Sequence, residues 1–119
     1  MVPRRILDGR GVGLAGMQKE GDMPTYVMLA NFTDQGIRNI KESPKREDAF
    51  RELCEKKGAR VKDVYRTLGR YDIVAIVDAP NDEAINTILY SLGSRGNVRT
   101  ETLRAFTRQE TDQALAKMV

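Results

Sequence analysis

The chain contains no histidine, no tryptophan and a single cysteine among its 119 residues. Histidine is the commonest metal ligand in proteins and the only side chain whose ordinary pKa lies near neutrality. Its absence excludes histidine-based acid–base catalysis and histidine-ligated zinc or haem, and we expect neither a metal nor a cofactor. Because Cys54 has no second cysteine to pair with, a fold built on internal disulfides is also excluded.

Long apolar runs and blocks of like charge are missing as well. No apolar segment approaches the roughly 20 residues that a membrane-spanning helix needs, and the N-terminus lacks the apolar stretch of a signal peptide. Twenty basic and 17 acidic residues give a net charge of +3, spread along the chain. This composition predicts a cytoplasmic protein that binds neither membranes nor nucleic acid.

Residues 1–22 differ from the rest of the chain, since they hold five of its ten glycines and show no strand or helix periodicity. They predict a flexible N-terminal extension ahead of one domain at residues 23–119. Translation could also start at Met17 or Met23, and the predicted gene would then be too long by part of the extension. Residues 11–16 match Gly-x-Gly-x-x-Gly, but the long strand and helix that a dinucleotide site requires do not flank them.

The remaining sequence alternates strands and helices in the order β-α-β-β-α-β. We predict strands at residues 25–32, 59–67, 72–79 and 97–106. Pro44 interrupts the first helical segment, and Ser43 is expected to cap a new helix there. Gly58 is expected to end that helix. The order predicts an α+β protein with a ferredoxin-like fold, in which helices cover one face of an antiparallel sheet.

The third predicted strand is apolar on both of its faces. Ile73, Ala75 and Val77 alternate with Val74 and Ile76. In an antiparallel sheet with one solvent-exposed face, apolar and polar residues should instead alternate along each strand. Two helices can cover only one face of the sheet. We therefore expect the second face to pair with another copy, giving a homodimer or higher oligomer. In the alternative, the C-terminal segment folds back over it.

Four segments of the chain together resemble the GYD domain family over about residues 23–106. They are residues 23–29, residues 36–46, Gly69-Arg70-Tyr71-Asp72 with the strand after it, and residues 96–106. The resemblance implies a domain that pairs into a dimeric α/β barrel, similar to cofactor-free monooxygenases, muconolactone isomerase and the ligand-sensing modules of leucine-responsive regulators. It implies no established activity.

Seven residues are candidates for ligand binding. Tyr71 and Asp72 follow a glycine-marked turn and would place a phenol and a carboxylate at a pocket mouth, although the turn alone explains the glycine. The other candidates lie on the unusually polar fourth strand and in a basic cluster at a helix start: Arg99, Thr100, Thr102, Lys41 and Arg46. The strand residues would line a cavity, or belong to a solvated edge strand. The basic cluster would hold an anion, or be ordinary solvated surface. Cys54 is expected to be a core residue.

Three functions are compatible with these features. The first is a homo-oligomeric sensor, carrier or accessory protein that binds a small hydrophobic or anionic ligand, with Met28, Phe32 and Tyr65 as apolar contacts. The second is a cofactor-free oxygenase or isomerase for small aromatic or lactone substrates. Its acid–base group would be Tyr71, Asp72 or Glu101, with Arg99 stabilising charge. The third is a purely structural interaction module.

Overall fold

A computed structural model describes residues 23–119 as an antiparallel sheet with helices on one face. The strands are β1 (Thr25–Phe32), β2 (Arg60–Arg66), β3 (Ile73–Asp78) and β4 (Val98–Ala105), and the helices are α1 (Asp34–Arg38), α2 (Ser43–Lys56), α3 (Asp82–Ser94) and α4 (Arg108–Ala116), with a 3₁₀ turn at Ile40–Glu42. The four strands lie in the order β2-β3-β1-β4, and each neighbouring pair is antiparallel. This topology confirms the predicted ferredoxin-like fold. The predicted extension at residues 1–22 and its glycine motif lie outside the described residues.

Local capping signals set most of the helix boundaries. Thr33, Asn81 and Thr107 each accept a hydrogen bond from a backbone N–H in the first turn of α1, α3 and α4. Thr107 and Glu110 form a reciprocal capping box at the start of α4. Within residues 23–119, no helix combines the length and the apolar character needed to cross a membrane.

Ser43 does not cap α2, so the sequence prediction at this point was wrong. Glu42 occupies the cap position, makes no side-chain cap bond, and is followed by Ser43 as the first helical residue. The Ser43 hydroxyl instead accepts a hydrogen bond from Arg66 Nη2 at 2.6 Å, and its carbonyl accepts from the same nitrogen at 3.2 Å. A partner on β2 therefore holds this side chain away from the free N–H groups of α2.

The hydrophobic core lies between the sheet and helices α2 and α3. Its largest fully buried side chains are Ile88, Val77 and Cys54. Burial raises the pKa of the Cys54 thiol to about 12, so the thiol stays protonated at neutral pH. The structure thus confirms Cys54 as a core residue.

The other face of the sheet is apolar at its centre and is left partly exposed. The strand register places Leu29 opposite Val74, and Val27 opposite both Ile76 and Leu103. Leu103 is 47% exposed, and the other four are half-buried. Helix α4 contains no buried residue. It therefore does not pack over this surface as the alternative prediction required. We call this surface the open face.

Candidate functional site

An apolar pocket lies between the helix-covered side of the sheet and α2. Nine of its 13 lining residues are apolar: Met28, Ala30, Phe32, Phe50, Val64, Ile73, Ala75, Leu92 and Val98. The cavity volume is about 70 Å³. An apolar cavity with a few polar groups at one side is typical of small-molecule sites.

The four polar lining residues are Ser43, Arg46, Glu47 and Arg66. Arg66, at the end of β2, reaches across to α2, where it pairs with the Glu47 carboxylate and with Ser43. The second oxygen of Glu47 accepts from Arg51 Nη2 at 3.1 Å. Its hydrogen bond to Arg66 is the main reason that the pKa of Glu47 is lowered, so the carboxylate is ionised at neutral pH. Because Arg66 and Glu47 are both partly exposed, this pair marks the mouth of the pocket.

Arg46 fixes the segment that precedes α2. Its two terminal nitrogens donate to the carbonyl oxygens of Asn39 and Gly36, at 3.0 and 3.1 Å. Arg46 thus joins α1 to α2 while adding positive charge beside the pocket. Lys41, the other member of the predicted basic cluster, is exposed in the 3₁₀ turn and does not line the pocket.

Asp72 ties the turn between β2 and β3 to the end of β1. Its carboxylate accepts from the Phe32 N–H at 2.9 Å, its own N–H donates to the Ala30 carbonyl at 2.9 Å, and its carbonyl accepts from the Thr67 N–H at 2.9 Å. Gly69 lies in this turn and has a φ of +97°, a backbone conformation that only glycine adopts at low energetic cost. Asp72 lies outside the lining of the apolar pocket.

We expect Asp72→Ala to lower the free energy of unfolding by about 1–3 kcal/mol, because the Phe32 N–H loses a charged acceptor. Asp72→Asn is the matched control, since its amide oxygen can still accept that hydrogen bond, and it should retain most of the stability. Urea unfolding of both variants measures the difference. Equal losses for alanine and asparagine would contradict the assigned role.

Tyr71 and Asp72 have different hydrogen-bond partners. Its hydroxyl donates to Glu101 Oε1 at 2.6 Å, and this hydrogen bond is the main cause of the raised pKa of Tyr71. Arg99 and Glu101 lie two residues apart on the open-face side of β4, and both are exposed. The three residues do not line the apolar pocket.

Thr100 and Thr102 lie on the helix-covered side of β4. Thr102 borders a shallow depression beside α3, where its buried hydroxyl has no hydrogen-bond partner among residues 23–119. The neighbouring groups are paired with one another: Tyr26 donates to Asp82, and Arg104 pairs with Glu110 at 3.0 Å. Burial, followed by the hydrogen bond to Asp82, raises the pKa of Tyr26 to about 12.

The structure therefore distributes the seven candidates over several places. Only Arg46 lines the apolar pocket, together with the predicted apolar contacts Met28 and Phe32. Tyr65, the third predicted apolar contact, is 57% exposed on β2. Sequence reasoning missed Arg66 and Glu47. The available signal was an arginine at the end of β2, two residues after Val64 and therefore on the same face of the strand as Val64.

The fold and the pocket define a small α+β protein of ferredoxin-like topology with a cavity under its helices. The chain belongs to the GYD domain family, whose model matches residues 26–115. It is also 37% identical over 84 residues to a Thermus thermophilus protein named glutamine synthetase and cystathionine beta-lyase binding protein. The match covers 70% of this chain and 88% of that relative.

Two solved regulators from Mycobacterium tuberculosis share the fold. One is the feast or famine regulatory protein complexed with L-methionine, with a TM-score of 0.56 and 18% identity over 73% of this chain and 52% of that one. The other is the leucine response regulatory protein, with a TM-score of 0.54 and 18% identity over 71% of this chain and 51% of that one. The chain thus spans about half the length of these regulators.

Proposed function

We propose that this protein binds a small molecule in the apolar pocket and acts as a sensor, carrier or accessory subunit. The observation that carries the proposal is the pocket itself, with nine apolar lining residues and a charged mouth. An unfilled apolar cavity lowers stability, because its walls lack packing partners on one side. Occupation by an apolar group would restore those contacts.

We further propose that the protein is a homodimer formed through the open face, giving a dimeric α/β barrel. The apolar residues of that face lie on the two central strands and on β4, where the register makes them neighbours. Burying such a patch contributes about 25 cal/mol for each Å² removed from water. Two copies that pair through the same face do so most simply about a two-fold axis.

The solved neighbours support a regulatory role for a bound small molecule. One of them is described in complex with L-methionine, and both are regulatory proteins. Tyr71, Asp72 and Glu101, the acid–base groups of the enzyme alternative, lie outside the pocket lining. The pocket geometry therefore favours binding over catalysis by those groups.

Filling the pocket should weaken binding without unfolding the protein. Ala75 lies in the floor on β3, so a leucine there extends into the cavity. We expect 2-phenylethanol, a neutral apolar compound, to raise the melting temperature of the wild type, and Ala75→Leu to weaken its binding ~10-fold or more. Ala114→Leu, the same change at an exposed position of α4, should bind like the wild type. Binding that is unaffected by Ala75→Leu, or absent from the wild type, would contradict the proposal.

The name of the Thermus thermophilus relative favours a second candidate function, in which this protein binds metabolic enzymes. The exposed apolar side chains Tyr90, Phe106 and Leu115 offer contact surface away from the pocket. Sedimentation velocity of this protein mixed with glutamine synthetase, and separately with cystathionine beta-lyase, tests the candidate. A faster-sedimenting complex is the expected result, and unchanged profiles for both mixtures would contradict it.

A further inference from the structure

We propose that the ligand of the apolar pocket is a small carboxylic acid whose carboxylate binds Arg66 in place of Glu47. The proposal rests on the function proposed above and adds the chemical class of the ligand. The Arg66–Glu47 pair then closes the mouth of the empty pocket and opens when the acid binds.

The contacts at the mouth allow this exchange without leaving a charge unpaired. Glu47 uses Oε1 for Arg66 and Oε2 for Arg51, so it keeps one guanidinium partner when Arg66 turns to a ligand. Arg66 keeps its contact with Ser43 through Nη2. A guanidinium presents paired donors that match a carboxylate, so the ligand replaces one carboxylate contact by another.

The cost of opening is small because the pair is partly solvated. The side chains of Arg66 and Glu47 are 39% and 23% exposed. Solvent screens partly exposed ion pairs, so separating them costs less than separating a buried pair. The mouth also carries an excess of positive charge, since the guanidiniums of Arg51 and Arg66 share the single carboxylate of Glu47 and Arg46 lines the same pocket. An anionic ligand would balance that excess.

The strand register places Arg66 at one end of the apolar floor. Arg66 lies opposite Ile73, and two residues further along the same pair of strands Val64 lies opposite Ala75. Two residues of strand span about 7 Å. A carboxylate held at Arg66 would therefore place the apolar body of the ligand over Ala75, about 7 Å further along the strands. Phenylacetate is a simple acid of this shape.

The test compares phenylacetate with 2-phenylethanol, which has the same body without the charge, by isothermal titration calorimetry on the full chain. We expect phenylacetate to bind the wild type ~10-fold more tightly than the alcohol, because its contacts with Arg66 are charge-assisted. Arg66→Gln should remove that preference, so that acid and alcohol bind with similar affinity. Glu47→Gln should act in the opposite direction and tighten phenylacetate binding about three- to tenfold, because Arg66 loses its competing partner.

Arg38→Gln is the control for net charge, since it removes one exposed guanidinium on α1 that does not line the pocket. It should keep the preference for the acid. If Arg66→Gln does not fold, Arg66→Lys replaces it and should lose part of the preference, because an ammonium lacks the paired donors. Equal affinities of the wild type for acid and alcohol would overturn the carboxylate assignment and leave the proposed function standing. Binding of neither compound would overturn both.

Discussion

Gly36→Ala is expected to lower the free energy of unfolding by about 3 kcal/mol or more. A Cβ atom at residue 36 would lie 2.0 Å from the carbonyl oxygen of Asn97, far inside contact distance. For a domain of this size the loss corresponds to a fall in melting temperature on the order of 15 °C.

Neither backbone segment at this contact is free to move away. The Thr33 N–H donates to the Asn97 carbonyl at 3.0 Å, and the Thr33 hydroxyl donates to the Gly96 carbonyl at 2.6 Å. The Gln35 amide donates to the Asn97 side chain at 2.9 Å. The Gly36 carbonyl is in turn held by Arg46, so a shift here would also disturb the mouth of the pocket.

Gly93→Ala is the matched control. Gly93 lies in the last turn of α3, is exposed, and has no atom within 4 Å of the position that a Cβ would take. Alanine stabilises an exposed helix by about 0.5–1 kcal/mol relative to glycine, so this variant should melt at or slightly above the wild-type temperature. A Gly36→Ala protein as stable as Gly93→Ala would contradict the close approach of α1 to residue 97.

Ile76→Lys is expected to convert the proposed dimer into a folded monomer. Ile76 lies at the centre of the open face on β3, opposite Val27. In a monomer the long lysine side chain can reach water, whereas a paired interface would bury its charge twice about the two-fold axis. A desolvated charge costs several kcal/mol, so the dissociation constant should rise ~100-fold or more. Sedimentation velocity across a concentration series measures the change.

Thr87→Lys is the control for added charge, because Thr87 is exposed on α3 and lies away from the open face. It should keep the oligomeric state of the wild type. Persistence of the dimer in Ile76→Lys would show that the subunits meet elsewhere. A wild-type protein that is monomeric at all concentrations would contradict pairing altogether.

The fold could be predicted from the sequence because local signals set most of its boundaries. The predicted strand limits differ from the observed ones by at most one residue. The caps at Asn81 and Thr107 depend only on backbone groups three residues away. The predicted cap at Ser43 was wrong because the Ser43 hydroxyl accepts a hydrogen bond from Arg66, 23 residues further along the chain. Capping rules consider only neighbouring residues and could not predict that partner.

The pocket mouth was missed for a related reason. β2 carries an irregularity between Val61 and Asp63, which breaks the simple alternation of its side chains. Without the register, Arg66 could not be assigned to the helix-covered side. The sequence instead indicated Tyr71 and Asp72 as site residues, and in the structure Asp72 makes two hydrogen bonds to the backbone of β1 that join the turn to that strand. Dimerisation and ligand identity stay predictions, because both depend on a second molecule.

Intermolecular NOEs between 2-phenylethanol and the methyl groups of the protein test the central claim most directly. Neighbouring residues on β3 point to opposite faces of the sheet, so the two possible sites give separate signals. Binding in the pocket predicts NOEs to Ile73 and Val64, which line it, and none to Val74 and Ile76 on the open face. NOEs to Val74 and Ile76 without any to Ile73 and Val64 would place the ligand on the open face and contradict the account.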